Sequence, residues 1–163
     1  AALFADGTVR NHLAVGPLDT KGAVNFAASF IAASADEWPD GGCGALAVVP
    51  RGDLRLSCQS VQPARQPAIG YCGLRLLPDR ITAVELFYAL APAYWGQGLA
   101  TEAAGAVLDW GFANLAVREI QAFTRREHAA SRWVSEKLSL RHLGETDRNY
   151  GETLAAYGVP RPE

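Results

Sequence analysis

Methionine is missing from all 163 residues, and the chain begins at Ala1. A translated chain ordinarily starts with Met, so the sequence reads as a fragment or a processed product. No apolar run reaches the roughly 20 residues that a membrane-spanning helix needs, and no signal peptide appears. Neither charge sign dominates: 15 Lys+Arg stand against 17 Asp+Glu, a formal net charge of −2. That balance gives no electrostatic footprint for nucleic acid or a membrane surface as partner. The three cysteines, Cys43, Cys58 and Cys72, are odd in number. Their spacing suits neither a zinc site nor a disulfide framework, which predicts a cytoplasmic chain without a metal. Repeats, low-complexity tracts and linkers are absent too, so residues 1–163 read as a single domain, monomeric or a homodimer.

What is present is an alternation of short apolar strands and helices. Residues 1–18 read as a loop or the remnant of a helix. Asp19 can cap a helix to about residue 34, with Val24, Ala27, Ala28 and Ile31 at core spacing. Glu37-Trp-Pro-Asp-Gly-Gly42 reads as a loop. A strand follows at 45–49, then a hairpin turn at 50–53, a return over 54–56, and a polar exposed insertion over 57–67. Strands at 69–76 and 82–90 are joined so tightly that they must be antiparallel neighbours. A helix over 99–114 carries Leu99, Ala103, Ala106, Val107 and Trp110 on one face, and its Gly105 and Gly111 suggest close packing. A strand at 118–124 makes that helix a βαβ crossover. A helix over 129–138, with Trp133, Val134 and Leu138 inward, and a last strand near Tyr150, Thr153, Leu154 and Tyr157 complete the pattern. The fold class is α/β: a mixed, mostly antiparallel central sheet with helices on both faces.

The densest signal is the turn Trp95-Gly-Gln-Gly98 between strand 82–90 and helix 99–114. A strand, a glycine turn and a helix start aim several backbone N–H groups at one spot, which suits an anion. Two phosphate motifs fail. A P-loop needs Gly-Lys-Ser/Thr, which is absent, and a dinucleotide fingerprint needs a third glycine where Thr101 stands. A pyrophosphate loop for coenzyme A is the remaining phosphate reading. A turn with only a structural role, in a domain without enzymatic activity, stays open beside it.

Tyr94-Trp-Gly-Gln-Gly-Leu-Ala-Thr-Glu-Ala103 resembles the acyl-CoA signature of the GNAT superfamily of N-acyltransferases, most of all the branch of the ribosomal-protein N-terminal acetyltransferases. His128-Ala-Ala-Ser131 and Glu136-Lys-Leu138 resemble the family's Asn-x-x-Ser and Glu-Lys-Leu-Gly-Phe segment, with His128 in place of Asn and Ser139-Leu140 in place of Gly-Phe. The resemblance covers roughly residues 19–157, without the first strand and helix with which the family usually begins. It implies a GNAT-like fold and transfer of an acetyl group from acetyl-CoA to a primary amine. That amine is a protein N-terminus or a small molecule. A truncated, non-catalytic acyl-CoA-binding domain is the alternative.

The resemblance also implies a site. Acetyl-CoA enters where strands 82–90 and 118–124 splay. Tyr88, Ala89 and Leu90 offer backbone to the pantetheine amides, and the pyrophosphate lies on Trp95, Gly96, Gln97, Gly98, Leu99, Ala100 and Thr101, with His128 nearby. Glu85 is the implied general base; a carboxylate in an apolar strand has its pKa raised by burial, but a structural salt bridge explains it equally. Ser131 is implied to lie near the thioester or to protonate the thiolate, or else it is an ordinary residue at a helix start. Arg125-Arg126 read as a solvated pair, and His12 and His142 as lone surface residues.

Overall fold

Among the described residues, six strands form one sheet in the order β1-β2-β3-β4-β6-β5. They are β1 (Gly44–Val48), β2 (Gly70–Leu77), β3 (Arg80–Leu90), β4 (Glu119–Thr124), β5 (Arg141–Thr146) and β6 (Leu154–Pro160). Only β3 and β4 run parallel; the other four pairings are antiparallel. This computed structural model describes residues 1–13, 18–41, 43–50, 67–78, 80–148 and 150–162. The hairpin and insertion expected over 50–67 lie for the most part outside the described residues.

The parallel pair follows from its connection. Helix α4 (Leu99–Asn114) carries the chain from β3 back to the start of β4, over one face of the sheet. It buries Ala104, Val107, Gly111 and Phe112, packed with Leu74, Val84 and Ile120 in the main core. A Cβ on Gly111 would stand 2.6 Å from Leu74 Cδ1 and 3.1 Å from Ile120 Cδ1. Glycine therefore sets how close helix and sheet come, as expected of it. The contact face is rotated from the expected one: Ala106 is exposed.

The opposite face is covered by α1 (Ala2–Ala5), α2 (Gly7–Arg10) and α3 (Thr20–Gly41). Three expectations change here. Residues 1–13 are two short helices, and α3 continues through the turn-like Glu37-Trp-Pro-Asp segment, local turn propensity being a weak prior that tertiary context overrides. The core face of α3 is also rotated, keeping Ala27 of the expected set and exposing Val24, Ala28 and Ile31. Val24 and Ile31 are 50% and 66% exposed, whereas Ala23 and Ala27 are buried and pack with Phe4, Phe26, Phe30 and Tyr71. Both sets of positions satisfy a helical period; the larger aromatic area decides which set faces inward.

Helix α5 (Ala129–Lys137) buries Val134, but Trp133 is 59% exposed, with Lys137 Nζ 5.4 Å from its ring centroid, not inward as expected. The strand β5 has no counterpart in the sequence reading. Its alternation is poor, and its register against β6 shifts between His142 and Gly144. Tyr150 lies ahead of β6 and not within it.

Candidate active site

The β3–β4 ladder is short. It pairs Ala83 with Glu119, Val84 with Ile120 and Glu85 with Gln121, and there it stops. Strand β3 continues to Leu90, still paired to β2, and β4 continues to Thr124, still paired to β6. Each strand is held by its outer neighbour, so the two part from each other. The gap opens into a cleft of about 560 Å³ lined from both faces of the sheet. Side chains alternate along β3. Leu86 and Tyr88 belong to the α4 side, packed with Val107 and Ala104. Glu85 and Phe87 belong to the α3 side, where Phe87 meets Phe30.

On the α4 side a 3-10 turn (Pro92–Tyr94) leads into the glycine turn. Gly96 and Gly98 have φ of +72° and +80°, which other residues rarely adopt. A Cβ at either would meet nothing within 4 Å. Glycine is thus needed for the backbone path, and the space above the turn stays open. Gly98 caps α4 without any side-chain hydrogen bond. The first N–H groups of a 16-residue helix therefore face the cleft beside Leu99, Ala100 and Thr101. Trp95 Nε1 donates to the Leu90 carbonyl at 2.7 Å, pinning the turn to the end of β3. Gln97 does not line the cleft; its Nε2 donates to the Ala93 carbonyl at 3.0 Å.

His128 caps α5 at the cleft, and the structure corrects the reading of its neighbour. His12 is exposed, as expected, but not alone: its ring stacks on His128 at 3.8 Å and 11°, with the Trp95 ring 6.0 Å away. Burial, together with the nearby His12 and Arg125, pushes the His128 pKa down to about 4. Arg125 is not merely solvated either. It grips Glu152 through Nε and Nη2 at 3.0 and 2.9 Å and donates to the Asn11 carbonyl. Arg126 is 77% exposed and 3.4 Å from Glu145.

Ser131 stands at the third position of α5, and its Oγ lies 3.0 Å from the Tyr88 hydroxyl. Burial pushes the Tyr88 pKa up to about 12, so this pair carries its protons at neutral pH. Glu85, 4% exposed, faces the other side of the gap. Arg75, its cross-strand partner, donates from Nε at 2.8 Å and from Nη2 at 2.9 Å. The Tyr150 hydroxyl donates to both carboxylate oxygens, at 2.6 and 2.7 Å. Burial lifts the Glu85 pKa to about 7 against the opposing pull of Arg75.

Sequence reading alone misses Arg75, Tyr150 and His12. Arg75 was within reach, because counting back across the β2–β3 hairpin places it opposite Glu85. Nothing local marks Tyr150, 65 positions from its partner. The candidate residues Glu85, Tyr88, Ala89, Leu90 and Ser131 do converge on one cleft with the glycine turn and His128.

Residues 1–141 match the family model of the acetyltransferase (GNAT) domain. The uncharacterised protein YkkB of Bacillus subtilis is 35% identical over 92 residues, covering 55% of this chain and 52% of that protein. An uncharacterised N-acetyltransferase, p20 of Bacillus licheniformis, is 32% identical over 76 residues, covering 47% and 43%. The chain thus spans about half the length of the curated relatives it matches. A GNAT-family acetyltransferase from Bacillus anthracis superposes with a TM-score of 0.72 at 20% identity, covering 99% of this chain and 86% of that one. An aminoglycoside acetyltransferase in complex with coenzyme A gives 0.69 at 12% identity, covering 98% and 86%. These likenesses show a shared fold. A ribosomal-protein-S5-alanine acetyltransferase from Vibrio fischeri gives only 0.54 at 19% identity, over 60% of this chain and 57% of that one. That likeness too shows only the fold, so the ribosomal-protein branch expected from the sequence is not established, whereas the family rests on the match over residues 1–141.

Proposed function

The chain belongs to the acetyltransferase (GNAT) family, and from that premise we propose that it transfers the acetyl group of acetyl-CoA to a primary amine. The observation that carries this reading is the end of β3–β4 pairing at Glu85 and Gln121, next to the uncapped start of α4. Backbone left unpaired along the end of β3 accepts an extended pantetheine as a strand-like addition. Alternate residues of β3 turn their backbone to β2, Ala89 among them, which leaves Tyr88 and Leu90 toward the gap; one lone pair of the Leu90 carbonyl is already taken by Trp95, so Tyr88 carries most of that pairing. N–H groups of residues 96–101 and the dipole of α4 receive the pyrophosphate.

Chemistry then falls where the two sides of the cleft meet. The amine nitrogen forms a bond to the thioester carbonyl carbon, and the carbon–sulfur bond breaks. Glu85 takes the amine proton through water, its raised pKa matching the working pH. The Tyr88–Ser131 pair returns a proton to the leaving thiolate. A cytoplasmic setting belongs to the same reading, from three cysteines whose spacing suits no disulfide framework. Among the described residues no helix is long and apolar enough to cross a membrane.

One observation favours a second reading, a domain that binds acyl-CoA without chemistry: both oxygens of Glu85 are already engaged by Arg75 and Tyr150. Two measurements separate the readings. Calorimetric titration with acetyl-CoA gives binding under both, and absence of heat removes both. Release of free thiol in the presence of an amine panel occurs only if the chain is a transferase.

A further inference from the structure

The α3-side mouth of the cleft is built of aromatic rings. Phe30 of α3, Tyr71 of β2 and Phe87 of β3 line it, all half-buried, with Phe26 beside them. Their centroids lie 4.7 Å (Phe30–Tyr71), 6.0 Å (Tyr71–Phe87) and 6.3 Å (Phe30–Phe87) apart. Behind them Phe4 is 5% exposed and closes the wall. Rings that only completed a core would be covered as Phe4 is; these present faces and edges to an open space. The alternation of β3 places Phe87 next to Glu85 on the same side, and β2 places Arg75 opposite Glu85.

The charges along the cleft point the same way. Among the described residues its lining holds two carboxylates, Glu85 and Glu152. Each is already paired with a guanidinium, Arg75 and Arg125 respectively. Lys137 adds a further positive group to the lining. A molecule with several ammonium groups would meet only acids that a guanidinium already neutralises, in a lining that holds the cations Arg75, Arg125 and Lys137. A single neutral amine on an aromatic body needs only Glu85, which takes its proton, and meets three rings with the rest, where edge and face contacts add to area burial.

We propose that the acceptor is an arylalkyl monoamine, its nitrogen at Glu85 and its aromatic group between Phe30, Tyr71 and Phe87. This rests on the acetyl-transfer reading above and adds the class of amine. The test is thiol release from acetyl-CoA by the full chain with phenethylamine, tryptamine, spermidine, the aminoglycoside kanamycin and a peptide with an N-terminal alanine. The two arylalkylamines are expected to exceed the others at least tenfold in kcat/KM. Phe30→Ala should raise the KM for phenethylamine about tenfold and leave that for acetyl-CoA within twofold, while Phe30→Leu keeps most of the affinity. A preference for spermidine, kanamycin or the peptide in the unaltered chain overturns the acceptor class while leaving acetyl transfer standing. An unchanged phenethylamine KM in folded Phe30→Ala protein, or in Phe87→Ala protein where Phe30→Ala does not fold, overturns the assigned pocket. Absence of acetyl-CoA binding removes the underlying reading instead.

Discussion

The Tyr150 hydroxyl straddles the Glu85 carboxylate, 2.6 Å from one oxygen and 2.7 Å from the other. With Arg75 on the same group, and the Arg75 guanidinium 5.0 Å from the Tyr150 ring centroid, the three form one closed unit at the cleft. A carboxylate so held is stationary and partly desolvated, which favours a positioned base over a mobile one.

That unit makes activity pH-dependent. With a pKa near 7, Glu85 is half ionised at neutral pH, and only the ionised form accepts a proton. kcat/KM is expected to rise with pH and level off above about 7. Replacing Glu85 by Gln should lower kcat by roughly 10²- to 10⁴-fold and abolish that limb, with acetyl-CoA affinity little changed. Stability moves oppositely. Between about 4.5 and 7 the folded chain keeps a proton that the unfolded chain has lost, so Glu85 stabilises less as pH rises through this window. A flat pH–rate profile through 7 would remove Glu85 from proton transfer.

Tyr150→Phe tests the other half of the unit. A hydroxyl donating to the ionised carboxylate favours the ionised form, so its loss moves the Glu85 pKa further up. The ascending limb of kcat/KM should shift to higher pH, with the plateau preserved. A tyrosine that only packed against Arg75 would leave the limb where it is.

How much of this was legible depends on the distance over which each feature is encoded. Helix α4 has the bounds 99–114 expected of it, because a glycine turn starts it and a strand follows closely. The glycine turn, Glu85 and Ser131 stand out locally as well. The α3 face did so only at Ala27, because Val24, Ala28 and Ile31 compete with Ala23, Phe26 and Phe30 for the period around it, and only the sheet beneath selects between them. Arg75 and Tyr150 acquire meaning only through strand register and chain return. His12 acquires it only by stacking on a residue 116 positions later (12 to 128).

The Tyr88–Ser131 contact predicts a defect in thiolate release. Ser131→Ala removes one partner of the 3.0 Å hydrogen bond and should cost about 1 kcal/mol of stability. It should lower kcat about tenfold or more, while the KM for acetyl-CoA changes little. A substrate analogue with a more acidic thiol needs less help in leaving, so its rate should fall less. Equal losses with both thioesters would make Ser131 a structural residue only.

The stacked histidines predict acid sensitivity. His128 has a pKa near 4 in the fold, against an ordinary 6.5, and faces His12 and Arg125. Between those values the unfolded chain binds a proton that the folded chain refuses, so stability falls as pH drops from about 6.5 toward 4. Glu85 works in the opposite sense over part of that window, so a variant comparison isolates the histidine. The urea midpoint of His128→Asn should decline less from pH 7.5 to pH 5 than that of the unaltered chain.

Ser139 supplies a prediction about stability alone. It follows α5 with φ +63°, the only non-glycine residue with positive φ among those described. Its N–H donates to the Glu136 carbonyl and the Leu140 N–H donates to that of Ser135, which closes the helix in a Schellman arrangement. Left-handed geometry costs a residue with a Cβ about 1–2 kcal/mol, part of which glycine returns through the greater entropy of its unfolded chain. Ser139→Gly should therefore gain about 0.5–1 kcal/mol, or roughly 1–4 °C in Tm for a chain of this size. Leu140 stays buried beside the turn in either case. Ser139 is not among the residues lining the cleft, so kcat and both KM values should hold. A fall in Tm would mean that the serine side chain makes a contribution at this turn larger than its backbone strain.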